Sequence, residues 1–117
     1  MTGAVSYHAG FVAEAAVADH YIRNGASLVA SRWRGDGGEI DLVMRQGSCL
    51  IFVEVKKSRS HARAAERVSR RQLERIYAAA SEFLAGEPMG LDSEVRFDVA
   101  TMDEIGRIEI LENVSMT

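Results

Sequence analysis

Cysteine is nearly missing from this chain. Cys49 stands alone, which excludes an internal disulfide and a zinc site built from several thiolates; between apolar strand residues it reads as a small core side chain. The histidines His8, His20 and His61 lack metal-ligand spacing, and no G-x-S-x-G, Walker or G-x-G-x-x-G pattern occurs. The opening segment lacks a basic n-region and the apolar run of a secretory signal. No stretch approaches the roughly 20 apolar residues that span a bilayer. The expectation is a cytoplasmic protein, neither exported nor held in a membrane. No linker, internal repeat or low-complexity tract is visible.

What is present describes one folded domain. The 117 residues suffice for a single core and are too few for two, and 47% hydrophobic with 26% charged residues is ordinary for a globular protein. A net charge of −3 argues at first against a nucleic-acid partner. Yet eight of the fourteen basic residues fall between Lys56 and Arg75 (Lys56, Lys57, Arg59, Arg63, Arg67, Arg70, Arg71, Arg75), against only Glu66 and Glu74. Such a stripe suits either a local polyanion contact or a solvated helix face.

Periodicity places the elements. A helix is expected from about Tyr7 to Asn24, with Phe11, Ala15, Ala18 and Ile22 as its apolar stripe, Glu14 on or beside that stripe, and Gly25 as the stop. "SLVASRW" reads as a strand and "RGDGG" as a loop; it is more a turn than a phosphate cradle, since a strand follows it. Two further strands, about Glu39 to Arg45 and Cys49 to Lys57, form a hairpin around "QGS". Residues 58–65 read as a mobile loop. Ser69 and Gln72 have capping-box spacing for a second helix that runs to about Leu84, with a start near Ala64 as the alternative. Its apolar face is Val68, Ile76, Ala79, Ala80 and Phe83, joined by Gln72. "EVRFDVATM" and "RIEIL" complete the order α-β-β-β-α-β with a last short strand: an α/β mixed sheet flanked by helices.

Within the hairpin, charged residues occupy strand positions that would otherwise be buried. Alternation puts Glu39 and Asp41 on one face and Phe52, Glu54 and Lys56 on one face of the next strand. If Gly47 and Ser48 form the turn, counting outward sets Asp41 opposite Glu54. Two carboxylates so close repel, and a shared proton, a basic neighbour such as Lys56, or a hard divalent cation relieves the repulsion. The set suits metal-assisted hydrolysis of a phosphodiester, with Glu14 as a further ligand and Gln72 orienting water or substrate. Singly, each residue has a simpler reading. Asp41 with Lys56 makes a structural ion pair, Glu14 is a boundary residue, and Gln72 is a cap.

"GGEIDLV" followed by "FVEVKKS", with the helix "AEAAVADHYIRNGA" before and "RFDVA" after, closely resembles the YraN-like family, also called UPF0102, over about residues 8–114. That family looks like a branch of the restriction-endonuclease-like superfamily, whose site is written PD-(D/E)-x-K, and is similar to archaeal Holliday-junction resolvases. The resemblance implies that core fold, with Asp41 as the motif's Asp, Glu54 as its (D/E), Lys56 as its lysine, and Glu14 as the acid of the first helix. Ile40 stands where the superfamily motif has Pro, as is normal for this family. Gln72 aligns where relatives commonly have a lysine. The activity implied is that of a Mg²⁺-dependent DNA endonuclease, with Mn²⁺ as a substitute, acting on branched or otherwise structured DNA. Lys57, Arg59, Arg63, Arg67, Arg70 and Arg71 would contact phosphates, and a homodimer follows by analogy with resolvases. A module that keeps the fold without catalysis and binds nucleic acid or a protein partner is the alternative.

Overall fold

The structure, a computed structural model, describes residues 2–57 and 69–114, with side chains in the first helix from Phe11 onward. Helix α1, Thr2–Arg23, ends where Gly25 takes a left-handed φ of 98° and its N–H bonds back to the Ile22 carbonyl. Its buried stripe is Ala13, Val17 and Tyr21, with Ala18 beside it. This corrects the expected one: Ala18 is buried, but Ala15 is exposed and Phe11 and Ile22 are 41% and 47% exposed. Alanine and apolar residues lie on nearly every side of α1, so helical spacing alone fits more than one face.

Three strands follow as two successive hairpins. β1, Ser27–Gly35, and β2, Gly38–Gln46, meet around the tight turn Asp36–Gly37, so the expected "RGDGG" loop is mostly strand. β3, Cys49–Lys57, pairs with β2 across the turn Gly47–Ser48, and Gly47 supplies the φ of 62° that the turn requires. Helix α2, Arg70–Leu84, crosses over to β4, Val95–Met102, which runs parallel to β3; a parallel pair needs such a crossover. A short 3₁₀ turn, Gly90–Asp92, lies between them, and β5, Ile108–Leu111, closes a five-stranded sheet in the order β1-β2-β3-β4-β5. The expected α-β-β-β-α-β order is present with its extra strand.

Strand alternation divides the core between the two helices. Leu42, Met44, Ile51 and Val53 pack with Val17 and Tyr21 of α1, whereas Val43, Leu50 and Phe52 pack with Ala79, Ala80 and Leu84 of α2. Leu73 and Leu84 join Ile76, Ala79 and Ala80 on the buried face of α2, while Phe83 is half-buried. Ile40, which simple alternation would group with Leu42, packs on the α2 side, so the side-chain order changes at Asp41. No helix among the described residues is long and apolar enough to cross a membrane. The 58–65 loop, the start near Ala64, and Val68 lie outside the described residues.

Candidate active site

The ladder between β2 and β3 follows the counted register from Gln46↔Cys49 to Leu42↔Val53 and ends there. It stops one pair short of Asp41 opposite Glu54. In place of a further pairing, Oδ2 of Asp41 accepts the backbone N–H of Val55 at 2.8 Å. A side-chain oxygen thus satisfies a strand donor just where the strands part, which holds the carboxylate against the sheet.

Around this point lies a cleft of about 410 Å³. α1 contributes Glu14, β1 Arg32, β2 Glu39 and Asp41, β3 Glu54, and α2 Gln72 and Arg75. Four of the five expected catalytic residues therefore share one cavity. The fifth, Lys56, stands beside it, its Nζ 3.1 Å from Oε1 of Glu54, as their spacing on one strand face anticipates. Gln72 belongs both to the helix cap and to the wall of the cleft. It closes the capping box with Ser69, each residue's backbone N–H bonded to the other's side chain, and it lines the cleft.

The electrostatics follow from the packing. Burial pushes the Asp41 carboxyl up to about 7; the charges of Glu54 and then Glu14 act the same way, while the Val55 N–H and Lys56 oppose them. Glu14 is bound to Arg32, whose Nε donates to Oε2 at 2.8 Å, and Glu39 is paired with Arg34 at 3.0 Å.

Asp41 and Glu54 bring to the cleft carboxylate oxygens, the donor type that a hard divalent cation takes. The three expected ligands are not drawn together. Among the described residues no three His, Cys, Asp or Glu side chains are grouped so as to hold a metal ion; Glu14 is paired with Arg32 and Glu54 with Lys56.

Arg32, Glu39 and Arg75 are cleft residues that the sequence pattern does not assign to the site. Arg32 carries one signal that sequence cannot show, a left-handed φ of 50°. Arg75 is visible in the sequence only as part of the basic stripe. Within that stripe, Lys57, Arg70 and Arg71 are exposed, and Arg70 lies 3.8 Å from Glu74; Arg59, Arg63 and Arg67 lie outside the described residues. A buried cluster away from the cleft has no sequence signal either. Asp98, 2% exposed, accepts the Tyr21 hydroxyl at 2.6 Å, two bonds from Arg96 at 2.9 Å, and the Asn113 N–H at 3.0 Å. Burial and the Asp98 bond raise the Tyr21 phenol far above its ordinary range, so it stays a neutral donor while Asp98 and Arg96 form a fixed pair of charges, and the cluster locks α1 to β4.

Comparison with known proteins agrees with the motif. Residues 13–102 match the uncharacterised protein family UPF0102. A UPF0102 protein of Cereibacter sphaeroides strain KD131 is 63% identical over 113 residues, covering 97% of both chains. One from Roseobacter denitrificans is 52% identical over 111 residues, covering 95% of this chain and 86% of the relative. Another, from Ruegeria pomeroyi, is 53% identical over 111 residues, covering 95% and 90%.

Proposed function

The chain belongs to the UPF0102 family, and we propose that its acidic cleft is the active site of a metal-dependent DNA endonuclease that hydrolyses phosphodiester bonds, on branched or otherwise structured DNA. The observation that carries this reading is the gathering of Glu14, Asp41, Glu54 and Gln72 in one cleft, with Lys56 on Glu54, from both helices and two strands. Ion pairs kept for stability alone seldom assemble this way, because each buried charge costs several kcal/mol to desolvate.

In this reading Asp41 and Glu54 hold Mg²⁺ or Mn²⁺, with Glu14 as a third ligand. The ion supplies phosphoryl polarisation and a water of lowered pKa. Lys56 donates to the attacking water or to the charge that develops on the phosphate. Gln72, fixed by its capping box, orients water or substrate through its side chain. Lys57, Arg70 and Arg71, together with Arg59, Arg63 and Arg67, contact the DNA backbone. A cytoplasmic setting and a homodimer that offers two clefts to a DNA branch belong to the same reading, and relate it to the restriction-endonuclease-like superfamily.

One observation favours a second reading, a non-catalytic module that binds nucleic acid or a protein: among the described residues no metal cage stands ready-made. Cleavage of labelled linear, single-stranded, flap and four-way-junction DNA, with Mg²⁺, Mn²⁺ or EDTA, separates the two. Under the first reading the wild type cuts at least one substrate only with metal, and Asp41→Ala and Lys56→Ala abolish the cutting. If nothing is cut while all three proteins bind DNA equally, the second reading replaces the first.

A further inference from the structure

Arg32 is one of two non-glycine residues with a left-handed backbone among those described. Such a conformation costs roughly 1–3 kcal/mol and persists only where the surroundings enforce it. Here the surroundings are specific. Arg32 falls between the pairs Ser31↔Leu42 and Trp33↔Ile40, at the level of Asp41 on the neighbouring strand. Its guanidinium carbon lies 3.8 Å from the centre of the Phe11 ring, and its Nε binds Glu14. The local twist of β1 thus directs an arginine into an acidic cleft and fastens it to α1 by a charged bond and an aromatic face.

Each acid of the proposed metal set has a different protein partner: Glu54 has Lys56, Asp41 has the Val55 N–H, and Glu14 has Arg32. Arg32 holds one carboxylate oxygen of Glu14 at 2.8 Å, and its positive charge opposes a cation arriving at the same carboxylate.

The structure assigns Arg32 the role of built-in counter-ion, holding Glu14 in the metal-free cleft and surrendering it when a divalent cation engages Asp41 and Glu54. Arg32 is a positioning residue in this scheme, and metal affinity is the net result of the exchange. The inference rests on the metal-site reading above.

Isothermal titration of Mn²⁺ into DNA-free protein tests it without reference to activity. The proteins are the wild type, Arg32→Gln, Glu14→Gln and the double variant, with Arg32→Lys as a charge-keeping control and circular dichroism as the check on folding. Arg32→Gln is expected to tighten Mn²⁺ binding roughly threefold to tenfold, as freeing Glu14 from a part-buried, charge-assisted hydrogen bond predicts. In the Glu14→Gln background the same change should have less than about a twofold effect, because no carboxylate remains to be released. Arg32→Lys, which keeps the counter-ion, should stay near wild type, so a clear gain in Mn²⁺ affinity there overturns the role even if Arg32→Gln does not fold. Uptake by Arg32→Gln where the wild type takes up none would support the exchange strongly. If the wild type binds Mn²⁺ and Arg32→Gln binds it no better, the counter-ion role is wrong and the metal site stands. Equal tightening with and without Glu14 also overturns the exchange, leaving only a charge effect. Should none of the proteins bind Mn²⁺, the metal site and the exchange fall together.

Discussion

Asp41 is both a cleft carboxyl pushed up by burial and a structural acceptor that keeps β3 in place at Val55. Its folded-state pKa, raised from 3.8 to about 7, makes the fold hold this proton more tightly than the unfolded chain does. The stability it contributes is therefore complete below about pH 4 and is lost as pH rises through about 7. In EDTA, the melting temperature of the wild type should fall relative to that of Asp41→Asn between about pH 5 and about pH 8, since the amide does not titrate. Parallel melting curves for the two proteins across that range would show that Glu54 and burial do not hold the proton. Saturating Mn²⁺ should reduce the alkaline loss if the cleft takes the ion, because the cation favours the ionised carboxylate.

At the scale of elements, the glycines ahead of the motif fix β1 and β2 against α2. Both carboxylate oxygens of Glu82 accept backbone N–H groups of the turn, from Asp36 at 2.9 Å and Gly37 at 3.0 Å. A Cβ at Gly37 would stand 2.8 Å from that of Ala78, so helix and turn touch too closely for any side chain there. This closeness matters to the site because Arg32 and Asp41 lie on the two strands it holds, and Gln72 and Arg75 on the helix. Gly37→Ala should cost about 1–3 kcal/mol in urea unfolding, through displacement of the turn from α2. Gly47→Ala offers the comparison, since a Cβ there meets nothing within 4 Å and only its φ of 62° is strained. If Gly37→Ala costs nothing in urea unfolding, the turn yields to the added methyl and contact with α2 does not require glycine there.

For the whole molecule, the notable feature is a local basic segment on a chain of net charge −3. Nonspecific electrostatics would repel DNA from most of its surface and draw it to one side. Reversal of exposed Arg70 and Arg71 to Glu should weaken DNA binding and flatten the log–log salt slope by roughly two, at about 0.9 for each phosphate no longer neutralised. Fluorescence anisotropy over a range of salt concentrations measures this. Unchanged affinity and slope would move the DNA-binding surface to another face. The Mn²⁺ affinity of the same variant should stay near wild type, since neither arginine lines the cleft.

The residue order by itself determined several features governed by neighbours in the chain, though not the β1–β2 turn. The hairpin register from Gln46↔Cys49 follows from turn length, the capping box at Ser69 and Gln72 from a three-residue spacing, and the shared face of Glu54 and Lys56 from strand alternation. Family membership was readable for the same reason, since its motifs are short and contiguous. Tertiary structure alone decided which side of α1 is buried, because a helix apolar on most sides takes its orientation from the sheet it meets. It decided the meeting of Tyr21 with Asp98, 77 residues apart, and of Glu14 with Arg32 across the cleft. It also decided the early end of the ladder at Asp41, where strand geometry yields to a side-chain bond. Such meetings depend on distances through space between elements that lie apart along the chain, and no spacing rule within one segment encodes them.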